Sequence, residues 1–415
     1  MCGIGGVWGG EAAERAVEMA RWLMHRGEEG IGYAYLTKDG LMRGEAVPRD
    51  ASAAVVHARY STTGPYGVQI QPVVVKYRDF EAAVAFNGTI VNFRELAPGA
   101  ENDVEALARK FAELTWEHGL VEGLRELYAV IEGAASIVAL THTELIGVRD
   151  ARGIRPLAFT TDAVASEDVA LGSSAFELGP GRAVVVSDEA KKLIEYSEAA
   201  ERLCALELVY FAHPASKLHG SRVGEVRRLL GRMLADGEGV EVDAVAYIPE
   251  TARAAAAGYA EALGKPLMEA VVKNRYAGRV FIKPPQSREP AVAFRVVDEA
   301  VRGKRIALVD DSLIRGTNLG VLVRALRAAG AAEIHLRIAS PPVKWPCYYG
   351  MDFQDPAELA ASGRSVEEIA RGLGADTLRY LDMEKFRRAL GNAVCYGCFT
   401  GIYPTKITAR PQRRR

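Results

Sequence analysis

The hydrophobic rhythm of this chain changes between residues 210 and 220, around His213-Pro214, and one continuous sheet cannot serve both halves. Before that point short apolar runs alternate with glycine-rich turns: Ile4 to Trp8, Ile31 to Leu36, Ala53 to His57, Val73 to Tyr77, Ala83 to Phe86, Ala134 to Leu140, Leu145 to Arg149 and Ala183 to Val186. Strands this short and regular predict sheets stacked on each other or on a few helices, with helical spacing at Ala12 to Met24 and Val104 to His118. After it, helices at Val223 to Ala235 and Ala252 to Leu263 alternate with strands at Ala244 to Ile248 and Arg305 to Val309. A helix through Leu319, Leu322, Val323 and Leu326 then ends at Gly330, and Ile334, Leu336 and Ile338 alternate as the next strand. This is the βαβ rhythm of a mainly parallel sheet. The expectation is an α/β protein, its first half α+β, with domains at residues 1–215 and 216–415.

Composition excludes several classes. Hydrophobic residues make up 49% and charged residues 25% of the 415, so the chain can bury cores. The 52 basic and 53 acidic side chains cancel to −1, which leaves no global electrostatic case for nucleic acid or membrane. No apolar run reaches a membrane span and no signal peptide precedes Gly3, so a cytoplasmic location is expected. Five thinly spread cysteines in a reducing compartment favour catalysis or metal binding over disulfides.

Cys2 becomes the first residue once Met1 is removed. A terminal thiol carries its own base: an α-amine of pKa about 7.8 is roughly one-third neutral at about pH 7.5. A lone cysteine in a strand is more often a small core residue, but other residues join it. Arg59, in His57-Ala58-Arg59-Tyr60, offers a guanidinium suited to a carboxylate. Asn87-Gly88 supplies an amide and an open backbone N–H, the donor pair of an oxyanion hole. Asp103 stands at a helix start, where it could cap the helix or hold an ammonium group.

Cys2-Gly3-Ile4, His25-Arg26-Gly27, His57-Ala58-Arg59-Tyr60, Asn87-Gly88 and Asp103, in this order, resemble the class II glutamine amidotransferases, the N-terminal-nucleophile glutaminases. The resemblance implies a four-layer αββα domain in which Cys2 attacks the glutamine amide. Arg26, Arg59 and Asp103 would then bind glutamine, and Asn87 and Gly88 the oxyanion. Arg152-Gly153-Ile154-Arg155-Pro156-Leu157 also looks like a late segment of that family.

In the second half, the strand Arg305 to Val309 delivers Asp310 and Asp311 to its C-terminal end, where ligands bind in open α/β sheets. The loop Ser312 to Thr317 turns into a helix whose Gly316, hydroxyls and N–H groups suit a phosphate. Two carboxylates beside such a cradle suit a sugar phosphate and a magnesium ion. Glu250 and Thr251, between a strand and a helix, could face a pyrophosphate, and Lys273, Arg275, Tyr276 and Arg279 read as a basic lid. No Gly-Lys-Ser/Thr loop or dinucleotide fingerprint is present.

The Asp310 to Asn318 stretch is similar to the 5-phosphoribosyl-1-pyrophosphate (PRPP) motif of type I phosphoribosyltransferases. That likeness implies PRPP contacts from Asp310, Asp311, Ser312, Arg315, Gly316 and Thr317, with Mg2+ on Thr251, Asp310 and Asp311. Cys204, Cys347, Cys395 and Cys398 remain; only the last two form a C-x-x-C pair, and four thiolates could hold zinc or a [4Fe–4S] cluster. The glutaminase and PRPP halves together resemble the glutamine PRPP amidotransferases of purine biosynthesis. In the iron–sulfur branch of that family, these four positions are cluster ligands. The resemblance further implies a homotetramer inhibited by purine nucleotides. Departures from the family pattern are read at Leu208, Glu250 and Leu171-Gly172. Rival readings are another glutaminase-fed synthase and a PRPP-binding regulator without catalysis.

Overall fold

The computed structural model describes residues 1–60, 71–274 and 294–408. Two antiparallel sheets fill the first half. The seven-stranded sheet runs, edge to edge, Phe176–Glu177, Ala158–Phe159, Ala163–Ala165, Gly3–Trp8, Ala53–Ala58, Ile31–Thr37, Gly40–Gly44. The six-stranded sheet runs Lys191–Glu195, Arg182–Val186, Leu145–Arg149, Gly133–Leu140, Phe80–Ile90, Val73–Tyr77.

Three apolar cores separate four layers. The Ala12–Leu23 helix buries Ala16, Met19 and Leu23 on one face of the first sheet. Ile4, Val55, Val138 and Leu145 fill the space between the sheets. The Asp103–Val130 helix closes the far side with Val104, Leu107 and Phe111. The glycine-rich first strand follows from this stacking. A Cβ at Gly5 would lie 2.2 Å from Met19 Sδ, and one at Gly6 would lie 2.6 Å from Leu145 Cδ1, so both faces of the strand are already occupied.

The second half carries a four-stranded sheet in the order Ala244–Tyr247, Arg305–Asp310, Glu333–Ile338, Thr377–Tyr380, all parallel. Its two central strands are buried on both faces, and their buried residues are mostly Val, Ile, Leu and Ala, with His335 and Arg337 buried among them. The helices Val223–Ala235 and Arg253–Leu263 cover one face. Thr317–Ala328 and Val366–Leu373 cover the other. The core on the first face extends into the cysteine-bearing segments and takes in Met1, so the N-terminus is packed against the second half. No helix among the described residues is long and apolar enough to cross a membrane.

Two candidate active sites and a cysteine cluster

The pairing of Gly3 with Ala58 sets Cys2 beside the end of the neighbouring strand, where Arg59 and Tyr60 follow. Cys2 is 9% exposed, and its thiol donates to the Tyr60 carbonyl at 3.4 Å. Burial pushes this thiol up; the Arg59 guanidinium pulls it down and the Asp103 carboxylate pushes it up. Arg59 also lies 3.7 Å from the Glu29 carboxylate.

Asn87 and Gly88 lie inside the Phe80–Ile90 strand, opposite Ser136 and Ala135, rather than after it. Asn87 is completely buried and both its Oδ1 and Nδ2 lack a hydrogen-bond partner. Leaving a buried amide unpaired costs about 1–3 kcal/mol per group, so both its atoms are open to a hydrogen-bonding partner. Gly88 has φ +151°, and a Cβ there would lie 1.8 Å from the Ala134 carbonyl oxygen; only glycine fits. Asp103 does not cap its helix. Asn102 does, accepting from the Glu105 N–H at 3.0 Å, while Asp103 Oδ2 takes the Ile90 N–H at 3.4 Å.

Arg26 departs from its expected place among the glutamine contacts. It is fully buried; Nε donates to the Cys2 carbonyl at 3.1 Å, Nη1 donates to Glu167, and Nη2 donates to Glu207 at 2.7 Å. With its fork closed on two carboxylates, it holds the backbone of Cys2 instead of presenting a free face. Met1, as encoded, is 1% exposed, and its thioether accepts from Arg155.

The second site is an open cleft at the carboxyl ends of the parallel strands. Its lining includes Glu250, Thr251, Lys273, Asp310, Asp311, Ser312, Arg315 and Gly316. Asp311 is 4% exposed; its carboxylate accepts from the Thr251 hydroxyl and, at 2.7 Å, from the Ser312 hydroxyl. The Asp311 N–H donates to Asp310 Oδ1 at 2.9 Å. Burial and then the neighbouring Asp311 charge push Asp310 well up, and burial pushes Asp311 up, so the pair calls for a cation or hydroxyl donors. Gly316, at φ +80°, starts the helix that follows; Thr317 is exposed there and Asn318 Nδ2 is buried without a partner. Arg315 donates to Glu358 at 2.8 Å and to the Asp352 carbonyl. Arg275, Tyr276 and Arg279 lie outside the described residues.

The cleft borders the first half. Tyr60, whose carbonyl takes the Cys2 thiol hydrogen, also lines the cleft, and its ring meets Phe211 edge-on at 5.8 Å. Tyr210 and Phe211 line it too, from the Glu207–Phe211 turn, a role the sequence did not announce.

Cys204 pairs in parallel register with Cys395, and Cys347 and Cys398 are buried nearby. The other three thiols all act electrostatically on Cys398. The Tyr349 N–H donates to Cys347 Sγ at 3.4 Å. All four are free thiols. Among the described residues no three His, Cys, Asp or Glu side chains close around a single metal ion.

A glutamine amidotransferase domain family matches residues 1–212, so the first half belongs to the glutamine amidotransferases. Full-length comparison narrows this further. The chain is 36% identical to the amidophosphoribosyltransferase of Bacillus subtilis over 98% of this chain and 94% of that one. It is 38% identical to that of Pyrococcus horikoshii over 97% and 96%. A solved glutamine PRPP amidotransferase from B. subtilis, complexed with ADP and GMP, superimposes with a TM-score of 0.88 at 34% identity, covering 99% of both chains. The chain belongs to the amidophosphoribosyltransferases, glutamine-dependent pentosyltransferases.

Proposed function

We infer that this enzyme hydrolyses glutamine at Cys2 and delivers the ammonia to C1 of PRPP, giving glutamate, 5-phosphoribosylamine and pyrophosphate, the first committed step of purine synthesis. Removal of Met1 frees the Cys2 amine, which takes the thiol proton as Cys2 Sγ attacks the amide carbon. Arg59 grips the substrate carboxylate and Asp103 its ammonium group. Asn87 Nδ2 and the Gly88 N–H hold the oxyanion, an interaction strongest in the transition state. Ammonia leaves, water cleaves the thioester, and the ammonia attacks C1 as pyrophosphate departs.

At the second site Asp310 and Asp311 address the ribose hydroxyls, while Ser312 to Thr317, with Arg315, take the 5-phosphate. Glu250, Thr251, Lys273, Arg275, Tyr276 and Arg279 are assigned to the pyrophosphate side. An all-oxygen set of Thr251, Asp310 and Asp311 fits Mg2+, which when bound neutralises pyrophosphate charge. Four buried free thiols suit a soft metal group, and we assign Cys204, Cys347, Cys395 and Cys398 to a structural [4Fe–4S] cluster. Purine nucleotides are the expected inhibitors and a homotetramer the expected assembly.

The observation that supports this reading most is Tyr60, whose carbonyl takes the thiol hydrogen and which also lines the acid cleft. Cys2→Ala is expected to abolish synthesis from glutamine and to keep synthesis from added ammonia, measured as pyrophosphate release. Equal loss of both activities overturns the two-site scheme. N-terminal sequencing of the active enzyme is expected to begin at Cys2.

A further inference from the structure

Glu207 belongs to neither site, yet it is fully buried between them. Its Oε1 accepts from Arg26 Nη2 at 2.7 Å and its Oε2 from Arg26 Nη1 at 3.1 Å, while Arg155 Nη1 approaches Oε1 at 3.4 Å. Both arginines are 0% exposed, and each directs its Nε at a main-chain carbonyl that bears on glutamine hydrolysis. Arg26 Nε donates to Cys2 at 3.1 Å. Arg155 Nε donates to Tyr349 at 2.6 Å. Tyr349 precedes Gly350, which packs so closely on the oxyanion segment that a Cβ there would sit 3.1 Å from the Gly88 backbone.

We propose that Glu207 is a positioning residue for glutamine hydrolysis: one carboxylate fixes Arg26 behind the nucleophile and Arg155 behind the segment that backs Gly88. The proposal rests on the reading of Cys2 as nucleophile. A buried carboxylate between two buried guanidiniums is poor value as a source of stability, since apolar residues of equal volume often do as well. Geometry is what it secures. The Arg26 fork, held by both oxygens of the planar Glu207 carboxylate, has its Nε direction fixed on the Cys2 carbonyl, while Arg155 meets the same carboxylate through Nη1 alone, with its Nε on the Tyr349 carbonyl. The segment that carries Glu207 is itself held: Arg227 donates to the Leu208 carbonyl at 3.0 Å and to the Ala212 carbonyl at 2.7 Å.

The test is Glu207→Gln in the full-length enzyme, which keeps shape and removes charge. Glutamine-dependent kcat is expected to fall about 10²-fold, the scale of a misplacement of about 1 Å, with the KM for glutamine within about threefold. Ammonia-dependent synthesis is expected to stay within about twofold, and alkylation of Cys2 by iodoacetamide to slow. Glu207→Asp, charged but one methylene short, is expected to fall between wild type and Gln. A folded Gln variant with unchanged glutamine-dependent kcat overturns the proposal, as does equal loss of the ammonia-dependent rate. If the Gln variant does not fold, an Asp variant with wild-type kcat overturns it and a reduced kcat with retained ammonia-dependent synthesis supports it. Cys2→Ala, run in parallel, separates the two claims: glutamine-dependent synthesis surviving there removes the nucleophile reading itself. Its loss there, beside an unaffected Glu207→Gln, removes only the role of Glu207.

Discussion

The two sites solve opposite electrostatic problems. Around Cys2 the polar group in waiting is neutral: Asn87 is sealed between two antiparallel sheets with both amide atoms unpartnered. In the cleft the groups in waiting are ionisable: Asp310 and Asp311 are braced by Thr251, Ser312 and a backbone N–H, yet burial still pushes both carboxyls up. A neutral donor can be buried unsatisfied at a cost of about 1–3 kcal/mol, whereas an unbraced carboxylate pair at that depth would protonate. On the proposed reading the first site meets charge that appears during reaction, and the second meets hydroxyls and a cation that arrive with the substrate. Each is expected to fail in its own way.

The largest separation is expected from the acids. Asp310→Asn together with Asp311→Asn is predicted to lower synthesis by about 10³-fold or more from both glutamine and ammonia, because the variant loses both the grip on the ribose hydroxyls and the carboxylates that would hold Mg2+, interactions worth several kcal/mol together. Alkylation of Cys2 by iodoacetamide should be unchanged in that variant. Selective loss of the glutamine-dependent rate alone would break the contrast between the sites. Asn87→Ala comes next. It is predicted to reduce glutamine-dependent kcat about 10²–10³-fold and to leave ammonia-dependent synthesis intact. Because the wild-type amide is unpaired, the variant is also expected to melt no lower than wild type, which calorimetry checks. A large fall in melting temperature would mean that the amide is a structural group after all.

That unusual amide also marks where sequence reading stopped. The strand was legible up to Phe86 because Ala83 to Phe86 is an unbroken apolar run, but it continues through Asn87 and Gly88 to Ile90. A polar residue followed by glycine reads as a turn; here Gly88 stays in the ladder at φ +151° because the neighbouring strand approaches too closely for a side chain. Val73–Tyr77 and Val223–Ala235 were fully legible, since a short β-branched run and a 3.6-residue stripe are local signals. Glu207 was not. A carboxylate inside Leu206 to Phe211 carries no local mark of burial, and only Arg26 and Arg155, distant in sequence, account for it. Likewise the departure read at Leu171-Gly172 falls on partly exposed residues, while Ser166 and Glu167 just before it are buried, taking the Ile4 N–H and the Arg26 guanidinium. The Asp310-Asp311 stretch was the most legible site because a single strand–loop–helix carries it.

A control outside both sites sharpens the comparison. Glu238 accepts from Arg337 at 2.6 and 2.8 Å and from Tyr259 at 2.5 Å, within the second half and away from the cleft lining. Burial alone would raise its pKa, but the hydrogen bonds from Arg337 and Tyr259 outweigh that and hold it at about 2, below the ordinary 4.5. A carboxylate lowered on folding stabilises above its unfolded pKa and loses that contribution as pH falls through the folded one. The contribution of Glu238 should therefore be complete above about pH 5 and decline toward about pH 2. Glu238→Gln leaves Arg337 buried and uncompensated, and is predicted to cost about 3 kcal/mol at neutral pH by denaturant melts. Its penalty should shrink on acidification, with both kcat values unchanged.

The smallest effect is expected at Arg315, where the two strategies overlap. Its guanidinium lies on Glu358 at 2.8 Å, and the Glu358 side chain is 48% exposed. A 5-phosphate arriving at the helix start must compete with that carboxylate for the same fork. Since a partly exposed pair is worth about 0–1 kcal/mol, the competition is mild. Glu358→Gln is predicted to lower the KM for PRPP by about two- to fivefold without changing kcat, and the gain should vanish at high salt, where the pair is already screened. An unchanged KM would mean that Arg315 stays with the Asp352 carbonyl, its other acceptor, and that phosphate binding falls to the loop N–H groups and Asn318.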